Sequence, residues 1–145
     1  WLSGKIDRID IDPYSARGIV QDYKSGKGAH SARDIDRELR LQIPLYVLAL
    51  RDLVGVEPLG GVYRALAGRR VTRGMLRESA REDLPGFARD DYLDEDAFWA
   101  QVESARERAA ANAQRIRAGD VQHDPKGDGC PAWCDLWPMC RVERS

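Results

Sequence analysis

Two segments in which polar and apolar residues alternate constrain the fold of this chain more than any other feature. Residues 5–12 read Lys-Ile-Asp-Arg-Ile-Asp-Ile-Asp, and residues 18–24 read Gly-Ile-Val-Gln-Asp-Tyr-Lys. Alternation of this kind predicts β-strands. The residues from Asp12 to Gly18 include Pro, Ser and Gly, which favour turns. The sequence therefore predicts a β-hairpin whose two strands carry acidic side chains.

Beyond the hairpin, helical and strand patterns follow one another. Apolar residues recur at helical spacing over residues 34–54, where Pro44 predicts that the helix is broken or begins late. Residues 57–67 predict a further strand, and residues 68–93 a short strand among polar loops. This order of elements predicts an α/β fold, with a central mixed sheet flanked by helices.

The last helix carries the clearest signals. It is predicted over residues 94–118, with Asp94 or Asp96 as its N-cap and Gly119 at its end. Its predicted apolar stripe consists of Phe98, Val102, Ala105, Ala109, Ala113 and Ile116. We expect a core domain over residues 1–122.

Composition excludes little by itself. The 145 residues suit one domain, and 23 basic against 24 acidic residues leave a net charge of -1. The overall charge therefore indicates no nucleic-acid partner, and any DNA contact must come from a local patch. The longest apolar run, Ile43 to Leu50, contains a proline and is too short to cross a bilayer. With no signal peptide visible, we expect a cytoplasmic protein without membrane contact.

The acidic residues of the two strands are the first candidates for a site. Residues two apart share one face of a strand, so Asp7 lies beside Ile9, and Asp22 lies beside Val20 and Lys24. A carboxylate among apolar neighbours is costly unless its charge is compensated, and two carboxylates on adjacent strands repel each other. A divalent cation resolves both problems, and Mg²⁺ prefers such oxygen ligands.

Lys24 adds a cation one strand step from Asp22. It could hold an attacking water or balance charge on a phosphorane-like transition state. Together with Asp7, these residues predict hydrolysis of a phosphodiester by metal-activated water. The alternative is that they are exposed charges on the solvated face of a hairpin. Asp10, the other acid of the first strand, is predicted on the opposite face with Arg8 as its partner.

Three blocks of sequence extend this pattern. They read Gly-Lys-Ile-Asp-Arg at residues 4–8, Asp-Tyr-Lys-Ser-Gly at residues 22–26, and Gln-Ile-Pro-Leu-Tyr at residues 42–46. In this order and spacing they resemble the nuclease domain of RecB- and AddB-type helicase–nucleases, which is of the PD-(D/E)XK kind. The resemblance implies a restriction-endonuclease-like core, exonucleolytic cleavage of DNA in repair or recombination, and a helicase domain or subunit as partner.

The resemblance also implies roles for individual residues. Asp7 and Asp22 would bind Mg²⁺ or Mn²⁺, the backbone carbonyl of Tyr23 would add a ligand, and Lys24 would be the catalytic lysine.

Gln42 and Tyr46 are four apart, hence on one face of a helix. By resemblance they line the active site, although core packing is the alternative for Tyr46. Candidate DNA contacts are Arg8, Lys27, Arg33 and Arg37, with a solvated helix face as the alternative for the arginines. His30 is interpreted as a loop histidine.

The tail, residues 123–145, contains Cys130, Cys134 and Cys140. An odd number of cysteines in a cytosolic protein favours metal ligands over disulfides. Zinc could take these three and His123, whereas an iron–sulfur cluster needs a fourth thiolate. Resemblance to AddB-type nucleases implies a 4Fe–4S cluster in a longer protein. The upstream part would supply the fourth cysteine and a helix bearing a His or Glu near the metal. Three reduced thiols are the remaining alternative.

Two other classes of protein stay open at the level of sequence. One is a DNA-end-binding or scaffold domain that has kept the fold and lost the chemistry. The other is a zinc-dependent interaction module centred on the cysteines.

Overall fold

A computed structural model describes residues 3–26 and 28–120. Within these residues, five strands form one sheet in the order β1-β2-β3-β4-β5. The strands are β1 Arg8–Asp12, β2 Arg17–Lys24, β3 Glu57–Ala65, β4 Thr72–Arg77 and β5 Tyr92–Leu93. The α-helices are α1 Ala32–Arg37, α2 Gln42–Ala49 and α3 Glu95–Arg117. A π-helical turn, Leu50–Val54, extends α2, and short 3-10 turns span Glu78–Ala80 and Arg89–Asp91.

The sheet is mixed, as the sequence predicted. β1 and β2 form the predicted antiparallel hairpin, β2 and β3 are parallel, β3 and β4 antiparallel, and β4 and β5 parallel. In the hairpin turn, the Asp12 carboxylate accepts hydrogen bonds from the Tyr14 amide and the Ser15 hydroxyl. The chain segment that connects the parallel strands β2 and β3 contains α1 and α2. It is a crossover connection of the kind that parallel strands require.

β1 is shorter than predicted and begins at Arg8 rather than at residue 5. The cause lies at Asp7, whose side-chain carboxylate accepts the hydrogen bond of the Tyr23 amide at 2.9 Å. A side chain, not a strand backbone, thus satisfies that amide of β2, and the ladder ends there.

The predicted helix over residues 34–54 is two helices, and the break does not fall at Pro44. The chain turns at Leu39, which has a left-handed φ of 52°, and α2 then begins at Gln42. Pro44 is the third residue of α2, where its missing amide costs no hydrogen bond within the helix. The prediction of a late start is confirmed.

The helices cover one face of the sheet, and their contacts form the larger core. Its buried members include Val20, Ile35, Ile43, Val47, Tyr63, Met75, Phe98 and Val102. Gly61 of β3 lets α2 approach closely, since a Cβ there would lie 2.6 Å from Val20 Cγ2 and 2.7 Å from Ile43 Cγ2. On the other face, Ile19, Val62, Leu76 and Tyr92 pack with Leu84 and Phe87. This arrangement holds the first turn of α2 against β2 and β3.

α3 has the predicted caps, and only part of its predicted apolar stripe is buried. Asp94 accepts a hydrogen bond from the Ala97 amide at 2.8 Å, and Gly119 ends the helix with a φ of 76°. Phe98, Val102 and Ala105 are buried, whereas Ala113 and Ile116 are exposed. The apolar stripe is therefore buried only in the first part of the helix.

The chain divides into two compact units, residues 1–110 and 111–145. The sheet and its packed helices belong to the first. Of the second, the structure describes the end of α3 as far as residue 120. No helix in the described part of the chain is long and apolar enough to span a bilayer.

Candidate active site

Asp22, Lys24 and Gln42 form a closed set of polar contacts at the end of β2. Asp22 is 3% exposed. Its Oδ2 lies 2.6 Å from Lys24 Nζ, and its Oδ1 accepts a hydrogen bond from Gln42 Nε2 at 2.6 Å. Gln42 Oε1 in turn accepts from Lys24 Nζ at 2.7 Å. A buried carboxylate is thus compensated by a cation and oriented by an amide, as burial of its charge requires.

Tyr46 connects this set to the segment before β1. Gln42 Nε2 also contacts the Tyr46 hydroxyl at 3.2 Å, one turn further along α2. The same hydroxyl donates to the backbone carbonyl of Lys5 at 2.6 Å. Tyr46 is therefore more than a packing residue, because it fixes the Gln42 amide and anchors the chain next to Asp7.

Asp7 lies beside the end of β2. The paired ladder ends at Arg8 and Gln21, and the hydrogen bond from the Tyr23 amide to the Asp7 carboxylate keeps Asp7 next to the part of β2 that contains Asp22. The Asp7 carboxylate is held by the Tyr23 amide, and Asp7 is exposed whereas Asp22 is buried. Near the end of β2, therefore, one carboxylate is accessible to solvent and the other lies in the core.

The donor set fits a hard divalent cation. Asp22 Oδ2 forms an ion pair with Lys24 Nζ at 2.6 Å and accepts no hydrogen bond from the described residues. This atom and the Asp7 carboxylate are oxygen ligands of the kind that Mg²⁺ prefers. No group of three or more His, Cys, Asp or Glu side chains suited to a metal occurs in the part of the chain described. Waters and a backbone carbonyl would therefore complete the coordination.

Sequence reasoning missed two residues beside Lys24. Tyr63 of β3 pairs with Asp22 in the parallel register, and its ring centroid lies 5.1 Å from Lys24 Nζ. The ring of His30 packs edge-on against Tyr63 at a centroid distance of 5.5 Å and an angle of 86°. Burial lowers the pKa of His30, and the charge of Arg40 lowers it further. No local pattern marks Tyr63, because its position depends on a long-range strand pairing.

Among the described residues, the candidate DNA contacts Arg8 and Arg37 form ion pairs with acids other than Asp7 and Asp22. Arg8 forms an ion pair with Asp10 at 2.7 Å, and Asp10 also accepts from Gln21. This confirms the predicted placement of Asp10 on the opposite face. Arg37 pairs with Asp34 at 2.8 Å, while Arg33 is exposed.

Lys27, Cys130, Cys134, Cys140 and His123 lie outside the described residues.

A mixed sheet that carries two acids, a lysine and a glutamine near the end of β2 has the fold and the side chains of one class of enzymes. The chain matches the PD-(D/E)XK nuclease superfamily over residues 1–141 and belongs to it. No curated protein and no solved structure gives a significant match to the chain.

Proposed function

We propose that this protein is a deoxyribonuclease that uses Mg²⁺, or Mn²⁺ in its place, to hydrolyse phosphodiester bonds at the site formed by Asp7, Asp22 and Lys24. The observation that carries the proposal is the buried Asp22 carboxylate, which contacts Lys24 and Gln42 at once. A solvated hairpin face needs no such arrangement. A binding module likewise gains nothing from burying an acid together with the lysine that compensates its charge.

In this proposal, Asp7, Asp22 and the carbonyl of Tyr23 hold the cation. When bound, a cation of this kind lowers the pKa of a coordinated water and stabilises charge on the phosphate oxygens. The chain's own residues supply the positioning. Gln42 fixes the plane of the Asp22 carboxylate and, through its carbonyl oxygen, one donor direction of Lys24.

The remaining donors of the Lys24 ammonium can then hold the attacking water or hydrogen-bond a non-bridging phosphate oxygen. Both uses stabilise charge that develops in the transition state.

Finer assignments rest on the resemblance of residues 4–8, 22–26 and 42–46 to RecB- and AddB-type nucleases. We propose exonucleolytic action on DNA ends in repair or recombination, in the cytoplasm, with a helicase domain or subunit as partner. We further propose a nuclease core over residues 1–122 and a tail over residues 123–145. The three cysteines of that tail would join a fourth thiolate outside this chain to hold a 4Fe–4S cluster. Iron and sulfide analysis, with zinc as the competing result, tests the cluster.

Cleavage by the purified protein tests the nuclease assignment. Linear and circular DNA are incubated with Mg²⁺ or with chelator, using the wild type, Lys24→Met and Arg106→Met. Lys24→Met keeps the side-chain stem and removes the cation. Arg106, a surface residue paired with Glu103, serves as a control for loss of positive charge.

We expect cleavage of linear DNA that requires Mg²⁺, persists in Arg106→Met and is lost in a folded Lys24→Met variant. Equal cleavage by wild type and Lys24→Met would remove Lys24 from the mechanism. Binding of DNA ends without cleavage would support a scaffold domain instead. Cleavage of circular DNA would replace the exonuclease assignment with an endonuclease.

A further inference from the structure

The hairpin that joins β3 to β4 carries a local positive charge that the overall charge of the chain conceals. Residues 58–77 contain five arginines and no acidic residue, although the whole chain has a net charge of -1. Both arginines of β4 are paired with acids from other parts of the fold. Arg64, Arg69 and Arg70 are exposed, and none of them forms an ion pair within the described part of the chain. Their charge is therefore available to a partner.

The tip of this hairpin, residues 66–71, adjoins the end of β2 where the candidate active site lies. In the parallel register, Lys24 pairs with Ala65, and these are the last residues of β2 and β3. One residue further on, the Leu66 amide donates a hydrogen bond to the Lys24 carbonyl at 2.9 Å. The hairpin tip then extends past the lysine by up to roughly 10 Å at strand spacing. Two of the available arginines, Arg69 and Arg70, lie on it.

The hairpin tip also exposes apolar side chains and contains one unfavourable backbone conformation. Leu66 is 55% exposed and Val71 is 44% exposed. Arg70 has a left-handed φ of 50°, which costs free energy in a residue with a Cβ and favours glycine. The hairpin tip thus carries a long cationic side chain where glycine would relieve the backbone. Exposed apolar side chains and local backbone strain of this kind occur where a surface binds a partner.

We propose that the hairpin tip is a DNA-binding surface that holds the substrate beside the active site. Arg69 and Arg70 bind backbone phosphates of the strand that leads away from Lys24, and Leu66 and Val71 contact the deoxyribose carbons between those phosphates. A guanidinium suits this task because it can donate two parallel hydrogen bonds to one phosphate.

The spacing of DNA agrees with this placement. Successive nucleotides of one strand rise about 3.4 Å, so phosphates about three nucleotides from the scissile bond come within reach of the hairpin tip. The inference takes its substrate from the proposed nuclease function, but the binding itself can be measured without cleavage.

The experiment is a titration of a labelled DNA duplex with the full chain, followed by fluorescence anisotropy in chelator at several NaCl concentrations. Each phosphate that an arginine neutralises contributes about 0.9 to the slope of log Kobs against log[NaCl]. We therefore expect Arg69→Gln and Arg70→Gly each to weaken binding and to make this slope shallower by about 1. Leu66→Asn should raise Kd about threefold and leave the slope unchanged, because the contact that it removes is uncharged.

Two controls separate the surface from net charge and from folding. Arg106→Gln removes one positive charge from α3, where Arg106 is paired with Glu103, and should leave the slope unchanged. Arg70→Gly should have a Tm no lower than that of the wild type, because glycine adopts a positive φ without steric cost. A weaker complex with DNA in that variant is then not a result of unfolding.

Slopes for Arg69→Gln and Arg70→Gly equal to the slope for Arg106→Gln would overturn the role of the arginines. An unchanged Kd in Leu66→Asn would overturn the apolar contact. If the wild type cleaves DNA and its binding does not depend on the hairpin tip, this surface is rejected while the nuclease function stands. If binding depends on the hairpin tip but no cleavage occurs with Mg²⁺, the surface is supported and the proposed function is rejected.

Discussion

Replacement of Gln42 by alanine tests how much the buried acid depends on its neighbours. The substitution removes two hydrogen bonds to charged groups, at Asp22 and Lys24, and the contact with Tyr46. Hydrogen bonds to charged groups contribute about 1.5–3 kcal/mol each. Because Gln42 is only partly buried, hydrogen bonds to water will replace part of this stabilisation. We therefore expect a loss of about 3 kcal/mol in the free energy of unfolding.

Gln101 is the matched control. It is 8% exposed, and its side chain donates one hydrogen bond to the neutral carbonyl of Ala32 at 2.7 Å. Gln101→Ala should cost about 1 kcal/mol. Urea unfolding of the two variants measures the difference.

A double-mutant cycle then tests whether the loss of stability in Gln42→Ala comes from its contact with Asp22. In an Asp22→Asn background, Gln42→Ala should be less costly by about 1–2 kcal/mol, because the buried charge that needed compensation is gone. Equal costs at Gln42 and Gln101, or strictly additive costs in the double mutant, would refute the claim that Gln42 compensates Asp22.

Three further predictions concern the fold and the region around the site. Gly61→Ala should destabilise the protein by about 1–3 kcal/mol and lower kcat, because a methyl group at this position pushes α2 away from the sheet. Unfolding and cleavage assays on one preparation measure both effects. A variant that is as stable and as active as the wild type would contradict this prediction. Asp91 is fully buried and binds Arg73 through both carboxylate oxygens. Asp91→Ala should therefore lower the free energy of unfolding in urea by about 3–5 kcal/mol. A decrease of less than about 1 kcal/mol would contradict a structural role for Asp91. Burial holds the pKa of His30 below its unfolded value of 6.5, so the unfolded chain binds the proton more readily and stability should fall as pH drops below about 6.5. His30→Gln should flatten that part of the pH–stability curve, and an unchanged curve would assign the dependence to other groups.

The hairpin and its acids could be predicted because their pattern is local. Period-two alternation fixes which strand residues share a face, and this placed Asp22 with Lys24 and Asp10 on the other side. The late start of α2 also followed from Pro44. The break at Leu39 did not, because no single residue there demands a left-handed backbone.

Tyr63 was missed for a different reason. Its place beside Asp22 depends on a parallel pairing between strands that are more than thirty residues apart in the chain. Sequence periodicity carries no information about such register. The exposed end of α3 has a similar cause, since the apolar spacing of Ala113 and Ile116 is helical whether or not anything packs against it.

Mn²⁺ binding by the purified protein, measured by electron paramagnetic resonance, shows whether Asp7 and Asp22 are metal ligands. We expect the wild type to bind the ion near the end of β2. We also expect Asp22→Asn and Asp7→Asn, which keep the side-chain shape and remove the charge, each to weaken Mn²⁺ binding and to abolish cleavage. If both variants remain folded and bind Mn²⁺ as the wild type does, then Asp7 and Asp22 are not the metal ligands, and the proposed hydrolytic site is contradicted.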